Sequence, residues 1–428
     1  MNTKSYISSI KIFEDRNYFY PIVLSVVTLI VFHSSLKNLF LEGWDDGWQV
    51  TNFYTSGGLV WDNIRDIFTE PYYGQYSPIN QLMYLLIYAI GGYNPFYFHL
   101  ASLLLHIANV CMVFFIVKYL LTDTDKLQNR KRITLLAAIT ALLFSIHPLQ
   151  VEAVAWISAS KVLLFSVFYL AGTLTWIKYL KTQKIWFYIL TLLLFVFSYG
   201  SKEQALTFPI WIACLYWIYG YSFKKLKTWL QLVPFIALAL VCGLFFLLVL
   251  SPSTNGDAEA IYPFWQRILF ALYSISEYLT KWFFPYKLLY YYPFPSAVGD
   301  ALPMWLFAYP VLLPTIIIVF WKYISHWAVA FGLLFFLLHV SLMLHIIPMD
   351  RPTITADRYT YLASIGFAFI IGYLFFLMYD KWLKYRSVLI VLSILIVLIL
   401  GVYSCKRVDV WHDTDSVKKD VHESVEQN

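Results

Sequence analysis

Charge is what this chain has least of. Only 13% of its 428 residues are Asp, Glu, Lys or Arg, while 60% are hydrophobic. A soluble domain of this length carries about a quarter charged residues, so the chain reads as a polytopic membrane protein. Cysteine is scarce too. Cys111, Cys214, Cys242 and Cys405 stand singly in apolar runs, which argues against a disulfide framework or a cysteine metal site. The standard motifs of soluble enzymes are missing: no phosphate-cradling glycine loop followed by Lys-Ser/Thr, no HExxH, no G-x-S-x-G elbow. What is abundant is aromatic. The 35 Phe, 34 Tyr and 16 Trp suit a protein whose rings line membrane interfaces and apolar grooves.

A spanning helix needs about 20 apolar residues. Eleven stretches qualify, near 18–36, 96–117, 133–150, 162–177, 185–200, 204–221, 229–251, 302–321, 327–347, 359–379 and 387–404. The first is too long for a signal-peptide core and has no convincing cleavage site, so it reads as a retained signal anchor. With the N-terminus in the cytoplasm, six short segments on one side hold 18 of the 31 basic residues. The positive-inside rule makes that side cytoplasmic and leaves the C-terminus outside. The net charge of +6 therefore follows topology, and no nucleic-acid partner is expected.

Two more apolar stretches, 78–92 and 262–284, are assigned to the outer surface. Counting 78–92 as a span would throw the basic run 126–132 outside, and Gly91-Gly92-Tyr93-Asn94-Pro95 ends it with a turn signal. In 262–284, Arg267, Ser274, Glu277 and Lys281 make a polar stripe at helical spacing, which suits an interfacial helix. The expected fold is all-α, with about eleven transmembrane helices and interfacial helices in the outer loops. A transmembrane domain covers 1–405, with a first outer loop at 41–95 and a large one at 252–301. A short polar tail follows at 406–428.

This topology puts 20 of the 25 acidic residues outside, in the tail, in loops 41–95, 151–161, 252–301 and 348–358, and at Glu203 between the fifth and sixth spans. Charges beside hydrocarbon are costly unless paired or functional. Four groups stand at outer membrane edges: Asp45 and Asp46 in "GWDDGWQV"; His147, Glu152 and Lys161 in "HPLQVEAVAWISASK"; Lys202 and Glu203 in "GSKEQALTFP"; Arg351, Asp357 and Arg358 in "MDRPTITADRYTYL". Any one reads equally as an interfacial ion pair, and Asp45-Asp46 as a solvated loop. Jointly, bases and cations converge on one face. His99, His106, His339 and His345 read as packing residues, since two imidazoles seven apart define no metal site.

The segments "WDDGWQVTN", "YSPINQLMYLLIYAIGGYNPFYFHLASLLLHIANV", "HPLQVEAVAWISASKVLL", "SKEQALTFP", "YLTKWFFPYKLLYYYPFP" and "ADRYTYLASIGF" follow the order seen in a known family. The chain resembles the transmembrane O-mannosyltransferases that carry tetratricopeptide repeats, and their bacterial relatives, within the C-type glycosyltransferases. One departure is that the sequence ends at Asn428, where the repeats would begin.

The resemblance implies a glycosyltransferase taking a sugar from a polyprenyl or dolichyl phosphate donor to a hydroxyl of a protein, lipid or glycan, with inversion at the anomeric carbon. It matches Asp45 or Asp46 to a catalytic acidic pair, with Asp45 the first choice as base, and Glu152 to the acidic position of the second outer loop. Charge and placement make Arg358, Lys161 and Lys202 the candidates for the donor phosphate. Glu203, His147 and Asp357 stand as supporting residues. Some relatives use a divalent metal between the acidic loops; no clear ligand set occurs here, and the metal is left open. A bacterial inner membrane, with the site facing the exterior, is the expected location. Two rivals, a flippase or transporter for polyprenyl-linked glycans and an inert scaffold, meet opposing features. The span cores hold essentially no charged residue for a transport path, and a scaffold leaves the outer motifs unexplained.

Overall fold

In lipid, a backbone must satisfy its own hydrogen bonds, and a lone apolar segment can do so only as a helix. The computed structural model, which describes residues 18–124, 127–249, 262–348 and 353–426, follows that rule. Its main helices are α1 Phe19–Phe32, α2 Trp61–Thr69, α3 Pro78–Gly91, α4 Pro95–Asp123, α5 Arg130–Ile146, α6 Ser160–Thr182, α7 Ile185–Ser201 and α8 Phe208–Ile218. They continue with α9 Leu226–Val249, α10 Phe264–Phe283, α11 Tyr309–Val319, α12 Trp327–Val340, α13 Ser364–Lys381, α14 Arg386–Val410 and α15 Thr414–Glu426. Among the described residues the only sheet is a two-stranded antiparallel ribbon, Tyr292–Pro293 against Thr353–Thr355.

A helix occupies each of the eleven apolar stretches. Among the described residues, six helical segments can cross a membrane by length and composition, or seven if α5 and the bent segment after it form one span. Ile185–Ser201, Met304–Val319 and Trp327–Met343 are shorter apolar helices, as is the surface-assigned Pro78–Gly91. The chain is thus an integral, multi-pass membrane protein.

Local chemistry sets the ends that matter for the site. Asn94 and Asn129 accept from backbone N–H groups at the starts of α4 and α5, as good N-caps do. The α3–α4 turn needs a left-handed residue, and Gly92 supplies it at φ 60°. The stretch 133–150 does not run straight. His147 precedes Pro148, a position that disfavours helix, and it is extended (ψ 134°). The chain bends there by 58° into the short helix Val151–Ala155, which carries Glu152.

Helices α12 and α13 cross with their backbones in contact. A Cβ on Gly332 would meet the Gly366 carbonyl oxygen at 2.5 Å, so only glycine permits this approach. The crossing fixes the height of the segment that precedes α13, where Arg358 lies. The polar stripe of α10 behaves otherwise than an interfacial helix predicts. Ser274 and Lys281 are buried, and Arg267 donates to the Ile346 carbonyl at 2.6 Å. The helix turns this face to protein, where Ile346 and Ile354 accept from Arg267 and Ser274 and the Tyr278 hydroxyl accepts from the Ala356 N–H, leaving Phe264, Trp265 and Phe283 exposed.

The end of the chain folds back. Helix α14 continues past position 405 to Val410, Trp411 stacks on Trp156 at 5.6 Å, and the Leu39 N–H donates to the His412 carbonyl at 2.8 Å.

Candidate active site

The first loop folds on its own carboxylates. Asp46 opens a single π-turn, Asp46–Val50, a device frequent at functional sites. Its carboxylate, 1% exposed, accepts from the Leu41 N–H at 2.9 Å, the Ser158 N–H at 3.0 Å and the Ser158 hydroxyl. Burial pushes its pKa up, and those bonds pull against the rise. Asp46 is therefore a stitch between the first loop and the 157–159 turn.

Asp45 is placed differently. It is half-buried and accepts from Trp48 Nε1 at 3.2 Å and Gln49 Nε2 at 3.1 Å. Both donors are neutral and belong to the same turn. A carboxylate has about four lone-pair directions, so two stay available for a substrate proton. Gln49 links it onward, since Lys161 Nζ donates to Gln49 Oε1 at 3.2 Å and to Gln75 Oε1 at 2.8 Å.

The second centre joins residues 206 positions apart. Glu152, 2% exposed, accepts the Arg358 N–H at 2.7 Å and the Arg358 guanidinium as well. The guanidinium lies 5.1 Å from the centre of Trp156 and 5.0 Å from that of Tyr359, close enough for cation–π attraction. Burial opposes its charge, but Glu152, with Asp45 further off, holds its pKa above the ordinary value. Trp44 of the first loop meets Trp156 edge-on at 6.2 Å. The two centres thus share one aromatic wall.

Asp357 sits behind this wall. It accepts from the Tyr292 hydroxyl at 3.0 Å. Burial, then the nearby Glu152 charge, push its pKa up to about 7 against the pull of Lys281 and Arg407. Lys281 lies 3.3 Å from the centre of the Tyr292 ring and 3.4 Å from Glu277; its burial lowers its pKa. His147 stacks on Trp282 at 5.0 Å. It donates from Nε2 to the Trp282 carbonyl at 2.9 Å and accepts from the Leu149 N–H at 3.3 Å. Both ring nitrogens are spent, so it braces the α5 bend as a neutral imidazole. Lys202 and Glu203 pair at 3.6 Å, on a segment whose Gln204 reaches toward the Tyr359 carbonyl. Arg351 lies outside the described residues.

The structure thus gathers Asp45, Asp46, Glu152, Lys161, Asp357 and Arg358 around loop 41–50, the 152–161 segment and the approach to α13. Sequence reasoning passed over Ser158, Trp156, Gln49 and Gln75, although the first three lie inside quoted motifs, and Lys281 was seen only as part of a stripe. Among the described residues, no three His, Cys, Asp or Glu side chains converge as a metal ligand set.

No family model matches the chain. It is similar to the protein O-mannosyl-transferase TMTC1 of Homo sapiens, 28% identical over 230 residues, which are 48% of this chain and 24% of that protein. TMTC3 of Mus musculus is 32% identical over 159 residues, 36% of this chain and 16% of that protein. The chain therefore matches about a quarter or less of these relatives' lengths. Among solved structures, ArnT from Cupriavidus metallidurans, bound to undecaprenyl phosphate, aligns with 96% of this chain and 78% of its own. Its identity is 13% and its TM-score 0.43, too low for a common fold to follow.

Proposed function

We propose that this protein moves a sugar from a polyprenyl or dolichyl phosphate to a hydroxyl acceptor on the outer face of a membrane, inverting the anomeric carbon. The observation that carries the reading is Asp45, a half-buried carboxylate oriented by two neutral donors within the field of Arg358. Asp45 takes the proton of the acceptor hydroxyl. The freed oxygen forms a bond to the anomeric carbon as the bond from that carbon to the phosphate oxygen breaks. The electron pair leaves with the polyprenyl phosphate. Arg358 has guanidinium N–H groups beyond the one that meets Glu152, and with Lys161 it steadies the departing charge. Lys202 already pairs with Glu203, so its share is the smallest.

The reading includes eleven passes with the N-terminus inside and the C-terminus outside. It is supported by the segregation of basic residues and by the similarity to O-mannosyl-transferases. Membranes containing the chain, mixed with a polyprenyl-phosphate hexose, should release polyprenyl phosphate above the level of empty membranes. Release at the empty level with every hexose tried overturns the proposal. Single cysteines in 41–95 and after Cys405 should label with an impermeant thiol reagent in intact cells, and labelling at position 128 instead reverses the sidedness.

A further inference from the structure

The Arg358 guanidinium bonds Glu152 and lies against the rings of Trp156 and Tyr359. The tilt of Trp156 therefore bears on where the guanidinium points. Trp156 stands between two short helices, Val151–Ala155 and Ile157–Ala159, with an extended backbone (φ −99°, ψ 120°), so no regular helix fixes its side chain. Its indole N–H is buried and has no hydrogen-bond partner among the described residues. No polar contact pins the ring, and packing is left to do so.

Two other tryptophans pack against it. Trp44 meets it edge-on at 6.2 Å, while Trp411 lies nearly parallel to it, 5.6 Å away with 20° between the planes. Their mountings differ. Trp44 is only half-buried, in the loop that carries Asp45. Trp411 is 3% exposed and sits inside a clasp. Arg407, in the last turn of α14, meets both carboxylate oxygens of Asp420 in α15 at 2.8 and 2.9 Å. That ion pair closes the chain around Trp411, and Val417 buries the inner side of α15. Next to Trp411, the His412 carbonyl accepts the Leu39 N–H at 2.8 Å.

We propose that Trp411 is a positioning residue for the sugar transfer, acting through Trp156 to hold the Arg358 guanidinium at the departing phosphate oxygen. The inference rests on the transfer reading and adds to it a residue from the segment after α14, outside every motif that carried the resemblance. Charge on the leaving oxygen grows only as its bond to the anomeric carbon breaks. A guanidinium off its mark therefore costs turnover more than donor affinity.

The test uses the full chain in nanodiscs with a polyprenyl-phosphate hexose and takes two readouts. One is kcat and KM for polyprenyl-phosphate release. The other is the rate at which phenylglyoxal modifies Arg358, followed by peptide mass spectrometry. Trp411→Leu fills space without a stacking face, and Trp411→Phe keeps one. In Trp411→Leu, kcat should fall roughly 3–10-fold, about the strength of one aromatic pair, and modification should quicken. KM should stay within about twofold. Trp411→Phe should recover most of both readouts. Leu121→Ala, a buried deletion near the other end of α4, should lower the unfolding temperature and move neither.

Parent values in Trp411→Leu, no recovery in Trp411→Phe, or equal changes in Leu121→Ala overturn the role. Where Trp411→Leu fails to fold, Asp420→Ala loosens the clasp from a partly exposed position and should show the same split in smaller measure; parent values there overturn the role as well. Modification needs no turnover, so the two ideas fail separately. Release and modification at parent rates in every variant sink the positioning alone. A parent chain that releases nothing, with faster modification in Trp411→Leu, sinks the transfer and leaves the placement of Arg358 by Trp411 standing.

Discussion

Helix α6 carries a lysine near each end, and the two are treated in opposite ways. They are 20 residues apart, about 30 Å along a helix. At the C-terminal end Lys181 pairs directly with Asp123, which also accepts from the Tyr219 hydroxyl at 2.7 Å, while the ammonium lies 5.4 Å from the Tyr119 ring centre. Charge meets charge, and the cluster is closed. At the N-terminal end Lys161 bonds two amide oxygens, and Asp45, one amide further, is held by neutral donors with no ion-pair partner among the described residues. An ion pair neutralised on the spot is a brace. A carboxylate oriented by neutral groups keeps its charge for a reaction, which is what a general base requires.

The largest effect should come from the end that carries Asp45. Asp45→Asn keeps shape and removes basicity, so polyprenyl-phosphate release should fall about 10²–10⁴-fold with the unfolding midpoint unchanged; a release rate close to that of the parent would erase the distinction between the two ends. Next comes Arg358→Ala, which strands Glu152 as a buried lone carboxylate, a change that typically costs about 3–5 kcal/mol. Lys181→Ala strands Asp123 in the same way. Thermal unfolding should drop in both, but activity per folded molecule should fall only in the Arg358 variant. Equal activity losses would mean that both clusters are braces.

Asp46→Asn should be milder. An amide cannot accept three bonds through its nitrogen, so one buried N–H is orphaned at about 1–3 kcal/mol. Stability should fall while residual turnover stays far above that of Asp45→Asn, and the reverse order would move the base to Asp46. The Asp357 carboxyl gives a pH signature. Its folded pKa is raised to about 7 from an ordinary value near 4. Its contribution is thus present below pH ~4 and is lost as pH rises toward 7. Asp357→Asn should flatten that slope in a stability–pH profile, and an unaltered slope would assign it to other groups. Smallest of all, Arg132→Ala removes an exposed pair with Asp380, whose side chains are 44% and 39% exposed. Such pairs are worth about 0–1 kcal/mol, so unfolding should scarcely move.

Apolar runs were legible because lipid leaves the backbone few choices, and a helix stands at every stretch counted. An end was legible where a local rule was applied, as at the turn signal Gly91–Pro95, and was missed at Pro148, where the span was carried to 150 although the helix stops at Ile146. The contacts of the site were not. Asp46 meets Ser158 across 112 residues and Glu152 meets Arg358 across 206, and no local pattern encodes such pairings. Sequence could name the pair Asp45-Asp46 but not divide their labour, because that depends on which one the 157–159 turn covers. The α10 stripe misled for the same reason. Amphipathicity reports that a face is polar, not whether water or protein meets it.

The hydrogen bonds between the segments around 38–42 and 408–414 bear on biogenesis. Asn38 donates to the Val408 carbonyl, 370 residues later, and Thr414 to the carbonyl of Glu42. A ribosome adding about 5–20 residues per second needs roughly 20–70 s to cover that interval. Through that time the loop that bears Asp45 and Asp46 waits without its closing partners. An unfinished or prematurely released chain therefore holds an unfastened site. Synthesis of the 408–414 segment becomes the event that fastens the first loop.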